Sequence, residues 1–454
     1  MKFVLCSSIL AVSTLSAFAQ QPPTPAAEAA PVFKAVAGPI DLQDGDSLVF
    51  LGDSITHQCL YTQYVEDYFY TRFPKRHLHF HNAGVGGDRA SNALLRFDED
   101  VASFKPKYVT ILLGMNDGGY KGYDQPTFDT YQKDMSTVLD KIAELHAVAV
   151  PMTPTMHDPR PVREAKHGAE PRDTYYNGVL ALYGAWLREQ AQQRGLGFID
   201  MWGPLNSLTL EQRKKDATWT MIRDGVHPGP TGQTVMAASV INDEVAHSAV
   251  SEVSVWIEQG QPAANSQHGV VGDLKKTEKG VSFSFAAEAL PWVLPPDAAE
   301  GLKLTHIGHK FSTEKLAVRD LAPGKYELKI DGQAVGTYET GPLAAGIELQ
   351  ENDKTPEYQQ ALKVALLNKK RNDEAVHPLR DQWAALKNKT NDLHKAEAAN
   401  AADLADKKAV YDQWLPTFKT AVENLNAKAA EMEKAIYEIN QPQPHTYELT
   451  HVEG

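Results

Sequence analysis

The sequence predicts an α/β domain with a parallel sheet covered on both faces, followed by a small β-rich module and a helical C-terminal region. Three observations support this prediction. Short apolar runs alternate with longer stretches of helical spacing between residues 48 and 245. Near residue 250 the pattern changes to single apolar and polar residues in alternation. Residues 355–440 are rich in helix-forming side chains and poor in glycine and proline.

The first part contains five apolar runs that predict buried strands, at residues 47–51, 78–80, 108–113, 148–151 and 197–201. Segments with helical spacing lie between them, at residues 61–73, 129–146 and 175–194. Strands that alternate with helices favour a parallel sheet with helices on both faces. In such sheets, catalytic groups gather in the loops that follow the carboxyl ends of the strands.

The second part begins with alternating segments that predict strands, among them residues 325–330 and 334–339. Asp331-Gly332 between these two segments is typical of a hairpin turn. Further on, apolar residues repeat with heptad spacing at Phe418, Val422, Leu425, Ala429, Met432, Ile436 and Ile439. Because the repeat covers only three heptads, it favours an intramolecular helical hairpin over a long coiled-coil dimer. Residues 445–452 predict a final short strand that returns to the β-rich module.

The N-terminus resembles a secretion signal. Lys2 precedes an apolar run that ends near Leu15, and Ala17-Phe18-Ala19 is a small-x-small cleavage site. The run is too short to cross a bilayer, and no later segment is predicted to cross one. We therefore expect a secreted or periplasmic protein with a signal peptide at 1–19, a flexible leader at 20–40, an α/β domain at 41–248, a β-rich module at 249–350 and a helical region at 351–454.

Charge and cysteine content exclude some functions. The 454 residues carry 58 acidic and 45 basic side chains, a net charge of −13, which disfavours binding to nucleic acid or to an anionic membrane surface. Of the two cysteines, Cys6 lies in the predicted signal. Cys59 therefore has no intrachain partner, and its place on a predicted helix favours a buried, inert thiol.

Two short blocks follow the first two predicted strands. Gly52-Asp53-Ser54 sets a serine at a strand–turn–helix junction, where its own N–H can stabilise an anion. An ordinary turn with Ser54 as helix cap would have the same sequence. The glycine-rich block that contains Gly87 lets the backbone approach a ligand closely. Its spacing differs from that of a dinucleotide-binding loop, so we expect no cofactor.

Two further blocks follow later elements. Asn116 comes directly after the most apolar strand, where its amide can donate to an oxyanion, although Asn-Asp-Gly-Gly is also plain turn chemistry. Asp224 and His227 are three residues apart, so the carboxylate can hold one imidazole nitrogen while the other faces a serine. The alternating histidines His77, His79 and His81 have no carboxylate or cysteine cluster beside them in the sequence, so we expect no metal site.

Together the four blocks resemble those of the SGNH, or GDSL-type, hydrolase superfamily, which centre on Ser, Gly, Asn and His. The resemblance covers residues 48–245 and implies a flavodoxin-like three-layer α/β/α sandwich. It implies a Ser54 nucleophile, a His227 base oriented by Asp224, and an oxyanion hole of Ser54, Gly87 and Asn116. Substrate contacts are expected at two further positions, which are Met115 and Tyr120.

The resulting hypothesis is a secreted serine esterase that acts on small O-acyl esters, with O-acetyl groups on carbohydrate preferred. A lysophospholipase- or thioesterase-type activity is the alternative within the superfamily. A non-catalytic protein that binds a glycan or a partner is the alternative of another class, because the last 200 or so residues contain no recognisable catalytic motif.

Overall fold

A four-stranded parallel sheet forms the centre of the first domain. The computed structural model describes residues 37–161 and 172–452, so the predicted signal peptide and all but the end of the predicted leader lie outside it. The strands lie in the order β2-β1-β3-β4, and they are β1 (Ser47–Gly52), β2 (His79–Gly84), β3 (Tyr108–Leu112) and β4 (Val148–Pro151). Gly52 is paired with both Gly84 and Leu112, so three carboxyl ends are level at one edge of the sheet.

Helices cover both faces of this sheet. As a result, five successive residues of β1 are buried. Helix α2 packs against α7, and α3 packs against α4. The helices are α1 (Ser54–His57), α2 (Leu60–Arg72), α3 (Ala90–Asp100), α4 (Gln125–Glu144), α5 (Arg172–Arg194), α6 (Trp202–Arg213) and α7 (Pro230–Glu244). The predicted α/β fold with a parallel sheet is therefore confirmed.

The fifth predicted strand, at residues 197–201, is wrong in its extent. It is reduced to one parallel bridge between Met152 and Ile199. The N–H groups of Met201 and Trp202 both donate to Thr153 Oγ1 at 2.8 Å. These bonds turn the chain away from the sheet and into α6, so the apolar run cannot continue as a strand.

The β-rich part consists of two sheets around one apolar core. The sheets have the orders β11-β10-β13-β8-β7 and β12-β9-β5-β6. Their strands are β5 (Ser251–Glu258), β6 (Gln261–Gln267), β7 (Gly269–Thr277), β8 (Gly280–Ala287), β9 (Glu314–Val318), β10 (Lys325–Ile330), β11 (Gln333–Glu339), β12 (Ile347–Glu348) and β13 (Pro444–Val452), with short helices α8 (Ala299–Thr305), α9 (Ile307–Phe311) and α10 (Thr340–Ala345). The predicted hairpin across Asp331-Gly332 is confirmed as β10–β11. The last strand, β13, lies between β8 and β10 in the middle of its sheet.

Three long helices complete the chain. They are α11 (Pro356–Arg371), α12 (His377–Ala398) and α13 (Leu404–Ile439), with one π-helical turn between α11 and α12. Helix α13 packs against α12 as the predicted helical hairpin requires. Its buried face departs from the heptad seam, because Glu433 and Tyr437 are buried whereas Ile439 is 36% exposed. In residues 37–161 and 172–452, no helix combines the length and apolar character that crossing a membrane requires.

Candidate active site

Ser54 lies where β1 meets α1, at the edge of the parallel sheet that is formed by the carboxyl ends of β1, β2 and β3. Asp53 caps α1, because its Oδ1 accepts from the Ile55 N–H at 2.9 Å. A side chain at Gly52 would overlap Thr56 Oγ1, so the strand can approach the first turn of α1 this closely only with glycine there. The junction leaves Ser54 half-buried.

Three of the predicted residues form one chain of hydrogen bonds. The Ser54 hydroxyl lies 2.8 Å from His227 Nε2, and His227 Nδ1 lies 2.6 Å from Asp224 Oδ2. An ionised carboxylate only accepts hydrogen bonds, so Nδ1 carries the ring proton. Nε2 is then the acceptor for the Ser54 hydroxyl, which is the arrangement that a general base needs.

The backbone keeps Asp224 ionised beside the imidazole. Oδ1 accepts from the N–H groups of Val226 at 2.9 Å and His227 at 2.8 Å. Partial burial raises the pKa of the Asp224 carboxyl, but the hydrogen bonds from His227 and Val226 outweigh it, so the pKa lies below its ordinary value. Asp224 therefore keeps its negative charge at acidic pH, and this charge would stabilise a protonated His227.

Gly87 lies in a tight turn after β2. The Asp88 N–H donates to the Val85 carbonyl at 3.1 Å, and Gly87 has a φ of 70°. A positive φ at the third residue is the mark of a type II turn, which favours glycine. The turn exposes Gly87 at the same edge of the sheet as Ser54.

Asn116 is held by three neighbours. Its Nδ2 donates to the Asp88 carbonyl at 3.0 Å and to Asp53 Oδ2 at 3.3 Å. Its Oδ1 accepts from the Tyr120 hydroxyl at 3.0 Å. The amide nitrogen therefore faces the Asp53–Ser54 junction and the Gly87 turn, and the amide oxygen faces Tyr120.

The two residues expected to contact substrate differ in their exposure. Tyr120 is 37% exposed, and burial raises the pKa of its hydroxyl to about 12. Met115 is 1% exposed, and its carbonyl accepts from the Tyr176 hydroxyl. The expected substrate contact through the Met115 side chain needs correction, because the turn after β3 places this side chain in the core of the domain.

The segment that contains Asp158 contacts the loop that carries Asp224 and His227. Asp158 is 1% exposed, donates its N–H to the Gly225 carbonyl at 2.9 Å and forms an ion pair with Arg213 at 2.5 Å. The segment thus supports the loop that carries Asp224 and His227.

Histidines near the site form hydrogen-bonded pairs. His57, His377 and Asp381 bring three potential ligand atoms within 4.8 Å of one another. However, the Gly86 N–H donates to His57 Nδ1 at 3.2 Å, so in the neutral ring Nε2 carries the proton and donates to Asp381 at 3.2 Å. A metal ion would need that nitrogen without its proton. The alternating histidines His77, His79 and His81, of which the last two lie on β2, pair with separate carboxylates, which are Asp44, Glu433 and Asp100.

Comparison with known proteins agrees with this geometry. A family model described as GDSL-like lipase/acylhydrolase matches residues 50–235. These residues form a GDSL-type hydrolase domain. The chain is 23% identical over 225 residues to an acetylxylan esterase from Geobacillus stearothermophilus, a match that covers 44% of this chain and 94% of the relative. Together with the family match, this makes the protein a carboxylic ester hydrolase.

One solved structure resembles nearly the whole chain. It is a gut microbial diltiazem-metabolizing enzyme with a TM-score of 0.78 and 27% sequence identity, and the match covers 92% of this chain and all of that one. The likeness therefore extends beyond the GDSL hydrolase domain to the β-rich and helical parts. These parts belong to an architecture that the two proteins share.

Sequence reasoning missed the side chains that the helical region contributes next to the Gly87 turn. Lys387 donates to the Gly86 carbonyl at 2.6 Å, and Asp381 contacts His57. About 300 residues separate Lys387 from the turn. Lysine and aspartate on a polar helix face are ordinary surface residues in a sequence, so no local signal identified them.

Proposed function

We propose that the protein is a serine esterase that removes small acyl groups, acetyl above all, from carbohydrate, and that it works outside the cytoplasm. Ser54 is the nucleophile, His227 the general base, and Asp224 the residue that orients His227. The oxyanion is stabilised by the N–H groups of Ser54 and Gly87 and by the Asn116 amide. The hydrogen-bonded chain Ser54–His227–Asp224, at 2.8 and 2.6 Å, is the observation that carries this proposal.

The reaction has two steps. His227 Nε2 takes the Ser54 proton while Oγ attacks the ester carbonyl, and the alcohol leaves with that proton as the acyl-enzyme forms. His227 then takes a proton from water, the resulting hydroxide attacks the acyl carbon, and Ser54 recovers its hydroxyl as the acid leaves. Asn116 joins the oxyanion site when its weaker bond, 3.3 Å to Asp53, gives way to the developing negative charge.

The openness of the site supports a substituent on a large polar molecule. The side chains of His227 and Asp224 are 36% and 56% exposed, so the alcohol side of the ester need not enter a tunnel. The relative from Geobacillus stearothermophilus is an acetylxylan esterase, which agrees with an acetylated carbohydrate. The signal-like residues 1–19 and the acidic net charge of −13 support an extracellular or periplasmic localisation.

Acetate release by the parent chain and by Ser54→Ala tests the mechanism. We expect turnover to fall by about 10⁴-fold or more, because the residual activity depends on binding and on the oxyanion site alone. Ser207→Ala, at an exposed serine of α6, is the matched control and should retain full activity. Equal turnover in the Ser54→Ala protein, or labelling of another residue by a fluorophosphonate probe, would refute the mechanism.

A substrate panel tests the acyl and alcohol preference separately. Acetylated polysaccharides, p-nitrophenyl esters of increasing chain length and lysophospholipids are compared by kcat/KM. We expect the values to favour acetylated polysaccharide and to fall as the acyl chain lengthens. A maximum for long acyl chains or for lysophospholipids would replace the carbohydrate proposal with the lipid one.

A further inference from the structure

Helix α12 of the C-terminal region reaches the turn that carries Gly87. Lys387 Nζ donates to the Gly86 carbonyl at 2.6 Å, and the same nitrogen lies 2.9 Å from Asp88 Oδ1. The contact with Asp88 is an ion pair without hydrogen-bond geometry, so the directed bond is the one to Gly86. The Asp88 carboxylate is 1% exposed, which strengthens its attraction to the ammonium.

A second residue of the same helix acts on the turn through His57. The Gly86 N–H donates to His57 Nδ1, and His57 Nε2 donates to Asp381. Burial, together with the nearby His377, lowers the pKa of His57 to about 4. Since the ring is neutral above that pH, Nδ1 stays available as an acceptor, and both sides of Gly86 are held from α12.

The geometry of the turn converts these contacts into an orientation of the Gly87 N–H. The Gly86 carbonyl and the Gly87 N–H belong to one trans peptide unit, so they point in opposite directions. Type I and type II turns differ by a flip of this central peptide, and a pair of glycines allows either form. A cation fixed on the carbonyl side opposes the flip and polarises the peptide, which makes the N–H a stronger donor.

We propose that Lys387 is a positioning residue for the oxyanion site, with Asp381 assisting through His57. The inference rests on the proposed function, because it assigns the Gly87 N–H to the oxyanion. It gives the C-terminal helical region a part in the reaction. The hydrolase domain supplies the donor, and α12 sets the direction in which the donor points.

Kinetics of Lys387→Met tests this proposal. The oxyanion exists only in the transition state and the tetrahedral intermediate, so we expect kcat to fall while KM stays within about twofold. The donor is misaligned rather than removed, so the fall should be about 10- to 100-fold, below the loss of a whole oxyanion donor. Lys395→Met on the same helix, where the side chain is 80% exposed, is the matched control and should keep the parent kcat.

Restoring the charge separates positioning from a merely structural role. Lys387→Cys is treated with 2-bromoethylamine, which rebuilds an ammonium of nearly the same length, or with iodoacetamide, which adds a neutral group. The remaining described cysteine, Cys59, is buried and should not react. We expect aminoethylation to recover most of the lost kcat and carbamidomethylation to recover none.

The results distinguish this proposal from the proposed function. An inactive parent chain, or a parent activity that survives Ser54→Ala, refutes the proposed function itself. An active parent together with an unchanged kcat in Lys387→Met, or equal recovery with both reagents, overturns only the role of Lys387. If Lys387→Met does not fold, Asp381→Ala at a 58% exposed side chain takes its place, with a fall in kcat of about 3- to 10-fold expected and an unchanged kcat counting against the proposal.

Discussion

Asp53 connects Ser54, the proposed nucleophile, to Asn116, a proposed donor to the oxyanion. It is 1% exposed, caps α1 through the Ile55 N–H and contacts Asn116 Nδ2. Burial, assisted by the nearby charges of Asp117 and Asp88, raises the pKa of this carboxyl to about 7, although the Ile55 N–H and Lys387 act in the opposite direction. The residue therefore changes its charge close to neutral pH, next to the proposed oxyanion site.

The raised pKa of Asp53 predicts a pH-dependent cost to stability. In the unfolded chain an aspartate titrates near about 3.9. Between about pH 4 and 7 the folded state then holds the extra proton, so the free energy of unfolding falls as the pH rises through this interval. Asp53→Asn removes the titration. Relative to the parent, it should gain stability from pH 5 to pH 8, on the order of a few kcal/mol.

Urea unfolding of both proteins at pH 5 and pH 8 measures this difference. Glu438→Gln, at an exposed position of α13, is the control and should give the same difference from the parent at both pH values. If the difference between Asp53→Asn and the parent does not change with pH, the pKa of Asp53 is not raised in the folded protein.

The order of residues in the chain explains which parts of the site could be predicted. Ser54, Gly87 and Asn116 each follow a strand of one parallel sheet, so the fold brings them to the same edge. Asp224 and His227 are close in sequence and lie on one loop. Lys387 and Asp381 could not be predicted, because their position depends on how α12 docks on the hydrolase domain, and no periodicity specifies that.

At the scale of elements, the helical region docks through buried ion pairs. Arg380 of α12 is fully buried, and its two terminal nitrogens donate to Asp100 of α3 at 2.7 and 2.9 Å. Burial alone would raise the pKa of Asp100, but the charges of Arg380 and Arg96 and the hydrogen bond from His81 hold it well below the ordinary value. This cluster fixes α12 in the position from which Lys387 reaches the Gly87 turn.

Arg380→Met should destabilise the protein by about 3 to 5 kcal/mol, because it leaves part of the Asp100 charge buried without its partner. The free energy of unfolding from urea denaturation measures the loss. Lys395→Met replaces an exposed lysine of the same helix by the same residue and should cost under about 0.5 kcal/mol. A loss below about 1 kcal/mol in Arg380→Met would mean that water reaches Asp100 and replaces the arginine.

The same docking explains why the heptad seam of α13 was only partly predictive. The spacing identifies the helix and buries Phe418 and Ile436. It misses Glu433, which accepts from the Tyr70 hydroxyl at 2.7 Å, and Tyr437, whose hydroxyl contacts the backbone of Leu78. A polar residue on the buried face matches no hydrophobic pattern, since its burial depends on partners elsewhere in the chain.

At the scale of the whole molecule, the three sequence regions share their cores. The core of the hydrolase domain includes Trp292 from the β-rich part and Ile436 from α13. The Trp292 indole N–H donates to the Tyr64 carbonyl of α2 at 2.9 Å. Strand β13 in turn completes the sheet of the β-rich part from the far end of the chain. Each part therefore buries groups that another part must cover.

The fragment 37–248 should consequently not fold into a stable enzyme. The acetylxylan esterase relative is itself about as long as this domain, since 225 aligned residues cover 94% of it. In the present chain, however, the fragment would remove one partner from each of three buried carboxylates: Glu66 loses Arg371, Asp67 loses Asn368, and Asp100 loses Arg380 while it keeps Arg96. Removing one partner of a buried ion pair costs about 3 to 5 kcal/mol, and two such pairs would consume most of the roughly 5 to 15 kcal/mol that stabilises a typical domain.

Thermal unfolding and acetate release of the fragment 37–248 test this dependence, with the chain 37–454 as the control. We expect the longer chain to unfold in a cooperative transition and to retain activity. We expect the fragment to lack a cooperative transition and to be inactive.

Replacing the three carboxylates by neutral isosteres, as Glu66→Gln, Asp67→Asn and Asp100→Asn, should recover part of the folding of the fragment, because it removes carboxylates that have lost a partner. A parent fragment with the melting temperature and kcat of the longer chain would show that the hydrolase domain is independent and that α12 has no part in its reaction.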